Sequence, residues 1–188
     1  MKSGTKVLLI VVAIIVVLGA AIAGSYNSLV DLSEQVKTKQ ADIDAQLQRR
    51  ADLIPNLVNT VKGYTQHESD IIDKITTARE NLVNASSTED KLKANEELTN
   101  QLNALFVIVE NYPDLKASTN FTNLQDELAG TENRIAIARK DYNSAVSNYN
   151  KQIKKFPTVI IANLFNFEEK PYFEVEEGKQ EVPEVSFN

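Results

Sequence analysis

The side chains best suited to chemistry in this chain are its single histidine, His67, with Glu68 beside it, and a few adjacent carboxylates. A zinc-binding helix built on such a pair needs a second imidazole one turn further on, and that position is Ile71. The carboxylate pairs Asp42/Asp44 and Glu96/Glu97 have no Glu-x-x-His partner, which a di-metal centre inside a helical bundle requires. Gly63, Gly130 and Gly178 are too scattered to form a phosphate-cradling loop, and no G-x-S-x-G elbow occurs. The absence of cysteine removes disulfides, thiolate metal sites, a sulfur nucleophile and a lipidated cysteine. The expectation is therefore a non-enzymatic chain with no catalytic residue, no metal ligand and no cofactor.

The remaining conspicuous polar residues sit among apolar helical positions. They are Arg49, Arg50 and Asp52, then Asn111 and Tyr112, then Glu132, Asn133 and Arg134. They are candidates either for an interaction surface or for ion pairs that specify how helices assemble, and the second role is favoured. With a net charge of −6 and a pI near 4.9, the chain lacks the basic surface that displaces counterions from phosphates, so nucleic acid is not an expected partner. The partners expected are a lipid bilayer and a protein that the sequence does not identify; oligomeric state is not legible.

The elements that must position these residues begin with an apolar run. Val7 to Ala23 holds 17 residues without a charge, following Lys2 and Lys6. Val7, Leu8, Leu9, Ile10, Val11, Val12, Ile14, Ile15, Val16, Val17, Leu18 and Ile22 make it a transmembrane anchor over residues 7–24. As a helix it spans about 26 Å, close to the hydrocarbon thickness of a bilayer. Ala21-Ile22-Ala23 before Gly24 also fits a signal-peptide cleavage site. The run exceeds a usual signal core and passes straight into an amphipathic pattern, which favours a retained single-pass anchor. The flanking lysines lean toward a cytoplasmic N-terminus, and so toward a helical domain outside the cytoplasm.

Helical periodicity fills residues 25–155. Leu29, Leu32, Val36, Ile43 and Leu47 trace a first helix. A turn is expected over residues 49–55, with Asp52 capping a second helix and Pro55 in its first turn. That second helix runs through Leu57, Val61, Ile71, Ile75 and Leu82 to about Asn84, with Gly63 a weak point inside it. Ser86 and Glu89 form a capping-box pattern for a third helix, which Pro113 stops. Phe121, Leu128, Ile135, Tyr142 and Tyr149 step by seven along a fourth, beside a row of Leu124, Thr131, Ala138 and Ala145. The fold expected is all-α, an antiparallel four-helix bundle of long helices behind a short basic N-terminus (residues 1–6) and the anchor. Residues 156–167 form an apolar segment expected to pack on the bundle, with the membrane surface or a partner as the alternative. Residues 168–188 hold seven Glu against two Lys and read as a solvated, extended acidic tail whose Tyr172, Phe173, Val175, Val185 and Phe187 can still be laid along the bundle.

Several strings resemble the LemA family closely. They include Arg49-Arg50-Ala51-Asp52-Leu53-Ile54-Pro55-Asn56-Leu57-Val58, Val61-Lys62-Gly63-Tyr64, His67-Glu68 and Ala78-Arg79. In the same order follow Glu110-Asn111-Tyr112-Pro113, Thr131-Glu132-Asn133-Arg134-Ile135, Ala138-Arg139, Asp141-Tyr142-Asn143, Phe156-Pro157 and Pro171-Tyr172-Phe173. The resemblance covers essentially all of the chain beyond the anchor. It implies a bacterial membrane protein with an N-terminal transmembrane helix and a four-helix bundle, in a family without an established general molecular function. It implies no catalytic residue. A branch of the family is associated with magnetosome membranes, which suggests a membrane-organising or scaffolding role: an interaction module of the bacterial cell envelope, the alternative being a membrane-tethered sensor of a small ligand or signal.

Overall fold

The structure, a computed structural model, describes residues 3–65 and 67–173. The described chain is all-helical. Helix α1 (Ser3–Lys62) is followed by α2 (Ser69–Asn84), α3 (Thr88–Val109), the single turn α4 (Pro113–Lys116), α5 (Thr119–Lys154) and the short α6 (Thr158–Leu164).

Helix α1 is one unbroken rod of 60 residues, about 90 Å long. Its N-terminal part contains an 18-residue window of mean hydropathy 2.9, none of it buried against protein, which is long and apolar enough to cross a membrane. The same helix then supplies Leu29, Val36, Ile43, Leu47, Ile54, Leu57 and Val61 to the core. The expected turn at residues 49–55 does not exist: Pro55 lies inside α1, and Asp52 is an exposed mid-helix residue that accepts from Gln48 Nε2 at 2.9 Å rather than capping anything. Proline removes the N–H that would bond the carbonyl of Ala51, normally a cost of about 3 kcal/mol. Here that carbonyl accepts from Arg79 Nε of α2 at 2.9 Å, so the helix continues. The real break comes later, at Gly63, where the amides of Gly63, Tyr64 and Thr65 turn back onto Thr60 and Val61.

The cap of α3 is also displaced by one residue from the expected pattern. Ser87, not Ser86, is the N-cap, and its Oγ accepts from the Asp90 amide at 3.0 Å. The seam of α5 runs as its spacing predicts, with Phe121, Leu128, Ile135, Tyr142 and Tyr149 all buried.

Cross-helix pairs fix directions. Lys39 meets Asp141, Gln46 meets Arg134 and Arg49 meets Glu127, so α5 runs antiparallel to α1. Gln40 meets Thr88 and Arg50 meets Asn95, so α3 runs parallel to α1. The α2–α3 hairpin therefore reaches along α1 only as far as about Gln40. Below that level, toward the apolar end, α1 and α5 are covered instead by α6 and by the extended residues 168–173. The α2–α3 hairpin thus accompanies α1 and α5 in the distal half of the domain, and the C-terminal segment accompanies them in the proximal half.

The chain turns at the end of α6 through Asn166, the one described non-glycine residue with positive φ (56°), while the Phe167 amide bonds Ala162 O at 2.9 Å. This reversal carries Phe167 onto the core beside Tyr26.

Candidate functional site

At the centre of the distal half lies a buried polar node. Arg50 of α1 is 3% exposed, and its Nη1 donates to Asn95 Oδ1 of α3 at 2.6 Å and to Glu132 Oε2 of α5. Asn95 is buried as well, and Glu132 is half-exposed at the rim. Arg50 Nε is the one buried side-chain polar atom among the described residues without a partner. Burial pushes the Arg50 guanidinium below its ordinary value, and the adjacent Glu132 carboxylate opposes that shift. A guanidinium remains charged under these conditions, so the node is a clamp joining three helices rather than a proton-transfer site.

A second node sits about two to three turns closer to the apolar end. Thr88 Oγ1 accepts from Gln40 Nε2 at 3.0 Å and lies 3.2 Å from both carboxylate oxygens of Asp44, which also pairs with Lys91 at 3.2 Å. At the distal end, Tyr112 donates its hydroxyl to Glu68 Oε1 at 2.6 Å, tying the loop after α3 to the start of α2. That bond raises the Tyr112 pKa. His67 is exposed in the connection between α1 and α2.

Along α5, two asparagines one heptad apart grip the extended C-terminal segment. Asn150 Nδ2 donates to Lys170 O at 2.8 Å while its Oδ1 accepts from the Lys170 amide at 2.9 Å. Asn143 does the same to Phe173, at 2.9 Å in both directions. Seven helical residues rise about 10.5 Å and three extended residues about 10 Å, so the two repeats coincide. Tyr142 adds a hydroxyl bond to Pro171 O at 3.1 Å and a ring contact to Phe173 with centroids 4.4 Å apart. Beside this strap a groove of about 660 Å³, open to solvent, is lined by residues that include Arg139, Lys140, Asn143, Ser147, Lys151 and Phe173.

The eight polar residues singled out in the sequence therefore separate. Arg50 and Glu132 meet in the buried node. Arg49 and Arg134 meet at Glu127 on the surface, at 3.1 and 3.8 Å, and Arg134 Nε also reaches Gln46 at 3.2 Å. Tyr112 closes the distal loop, whereas Asp52, Asn111 and Asn133 are exposed and lie outside both nodes. Sequence reading missed Asn95, Arg79 and the pair Asn143/Asn150. Asn95 was signalled by its place between Leu92 and Leu98 on the apolar stripe of α3, and Asn143 and Asn150 by their heptad spacing beside Tyr142 and Tyr149.

Comparison with known proteins identifies the family of the chain. The model of the LemA family matches residues 39–187. Magnetosome protein MamQ 2 of Paramagnetospirillum magneticum is 28% identical over 79% of this chain and 64% of its own length. Magnetosome protein MamQ of Magnetospirillum gryphiswaldense is 26% identical over the same shares, and Protein LemA of Metamycoplasma hominis is 24% identical over 82% of this chain and 71% of its own. The chain thus spans about two-thirds of the length of the magnetosome relatives, 64% of each. Since the family match runs from the middle of α1 through the strap on α5, taking in both polar nodes, the chain belongs to the LemA family.

Proposed function

We propose that this protein is a membrane-anchored, non-enzymatic scaffold of the bacterial cell envelope. Its antiparallel helical bundle, on this reading, is held at the bilayer by the N-terminal part of α1 and presents its outer faces to a protein partner. The observation that carries this is the unbroken α1. One rigid helix passes from an apolar stretch that nothing in the domain buries into the core of the domain, so the domain is mounted on the membrane without a flexible linker. The polar groups that enzymes would aim at a substrate are here spent on one another, in the Arg50–Asn95–Glu132 and Gln40–Thr88–Asp44 nodes. The similarity to proteins named as magnetosome proteins fits a role in organising a membrane. The lysines before the anchor favour a domain outside the cytoplasm.

The alternative, a membrane-tethered sensor of a small ligand or signal, draws on the groove along α5. Small-molecule sites bury most of their ligand, and this groove is open, which ranks the sensor second. A photo-crosslinking amino acid at Asn133 or Ile137, exposed on α5, tests the scaffold in intact cells. A discrete adduct with one protein supports it; adducts that merely follow the abundance of neighbouring envelope proteins overturn it.

A further inference from the structure

The proximal end of the domain carries an apolar edge that the core does not use. On α6 and its approaches, Thr158, Ile161 and Ala162 face inward, while Phe156 is 82% exposed, Leu164 67%, Ile160 56% and Phe165 48%. Ile160 and Leu164 stand one turn apart on one face. An exposed set of this size on one short segment marks a contact surface.

Its position identifies what covers it. The apolar run of α1 ends at Ala23, and Tyr26 follows about 4.5 Å further along the axis, at the level where tyrosines sit between lipid and water. Tyr26 packs edge-on against Phe165, with centroids 4.9 Å apart, and against Phe167 at 5.7 Å. Continuing the α1–α5 register from Lys39 and Asp141 by equal steps brings Lys154 level with Tyr26. The last turn of α5 is basic, with Lys151 and Lys154, and Lys155 follows as its C-cap. Exposed aromatic and aliphatic side chains next to lysines, at the height of the bilayer surface, are the makings of an interfacial amphipathic contact.

We propose that the edge formed by Phe156, Ile160, Leu164 and Phe165 lies in the headgroup–acyl boundary of the same bilayer that α1 crosses, with Lys151 and Lys155 toward anionic headgroups. This second contact, which rests on the anchor reading above, fixes the tilt and rotation of the domain on the membrane. A single transmembrane helix alone leaves both free.

The chain lacks cysteine, so single cysteines are clean probes. Full-length protein carrying one nitrobenzoxadiazole-labelled cysteine at Ile14, Leu164 or Val107 is reconstituted in phosphatidylcholine/phosphatidylglycerol vesicles and quenched with nitroxide lipids of graded depth. The expected result is a probe at 14 near the bilayer centre, one at 164 about 5–10 Å into the boundary, and one at 107 unquenched. In the variant I160E/F156E the probe at 164 leaves the lipid while the probe at 14 keeps its depth; circular dichroism checks that both proteins are folded. A quenched probe at 14 with an unquenched probe at 164 overturns the inference and spares the anchor. An unquenched probe at 14 overturns both. A blue-shifted but unquenched probe at 164 also overturns it, in favour of a second copy if the shift grows with protein density in the vesicle and of the chain's own residues 174–188 if it does not.

Discussion

Arg50 concentrates the cost and the use of buried polarity in this protein. Its guanidinium is withdrawn from water and held by Asn95 and Glu132, so its removal strands a buried amide and a rim carboxylate. Arg50→Ala is expected to destabilise the domain by about 3 kcal/mol, read from denaturant unfolding. The triple change R50M/N95L/E132Q is expected to recover most of that loss, because apolar residues of similar volume replace the buried Arg50 and Asn95 while the rim carboxylate is neutralised. If the triple variant is no better than R50A, the node does more than satisfy itself. The buried tyrosines set a pH limit. Burial raises Tyr142 and Tyr149 above the ordinary value of 10.0, and for Tyr149 the nearby Glu168 adds to it. The folded state then holds protons that the unfolded chain releases, so this contribution is complete below about pH 10 and is lost as pH rises through the higher folded values. Tyr149→Phe is expected to flatten the alkaline arm of a stability–pH profile above about pH 10, with no change of slope at neutral pH.

At the scale of elements, Pro55 and Arg79 form one device in two helices. Restoring the missing amide with Pro55→Ala gives the Ala51 carbonyl an intrahelical partner and makes the Arg79 bond redundant. Arg79→Met is expected to cost about 1–2 kcal/mol in the natural chain and clearly less in the P55A background. Equal costs in the two backgrounds would break the link. Proline is read from sequence as a boundary because the rescuing donor is 28 residues away. No local pattern predicts it; Asn95 was signalled only by its place on the apolar stripe of α3, because its partner Arg50 lies 45 residues away on another helix. What was legible was periodic: the heptad rows of α5, the stripe of α3 and the apolar run of α1. The strap was half legible, since Tyr172 and Phe173 were recognised as residues able to lie on the bundle, but its grip depends on matching two different rises per residue. Asn143→Ala with Asn150→Ala is expected to release it. Hydrogen exchange at the Lys170 and Phe173 amides should accelerate by about tenfold or more, the equivalent of at least 1.4 kcal/mol of lost protection, while α2 and α3 amides keep their rates.

The whole molecule is a rod on which two unequal structures are hung. Helix α5 packs along the domain part of α1, the α2–α3 hairpin covers this pair distally and α6 with the strap covers it proximally; together they bury a stripe of α1 from Leu29 to Val61. The stripe stops where the apolar run begins: the large apolar side chains from Leu8 to Ile22 are exposed, and none enters the core. Membrane insertion and domain folding should therefore be separable even though one helix serves both. A chain lacking residues 1–23 keeps every core residue, both polar nodes and the asparagine grip, and loses helix that packs on nothing. It is expected to be soluble and helical, with a melting temperature within about 2–4 °C of the full chain in detergent, the shift that 1 kcal/mol produces in a domain of this size. The new terminus frays by a turn without reaching Leu29. A truncated chain that loses its cooperative transition would mean that the membrane segment is needed for the domain to fold, and the rod would then be an integral part of the core rather than its mount.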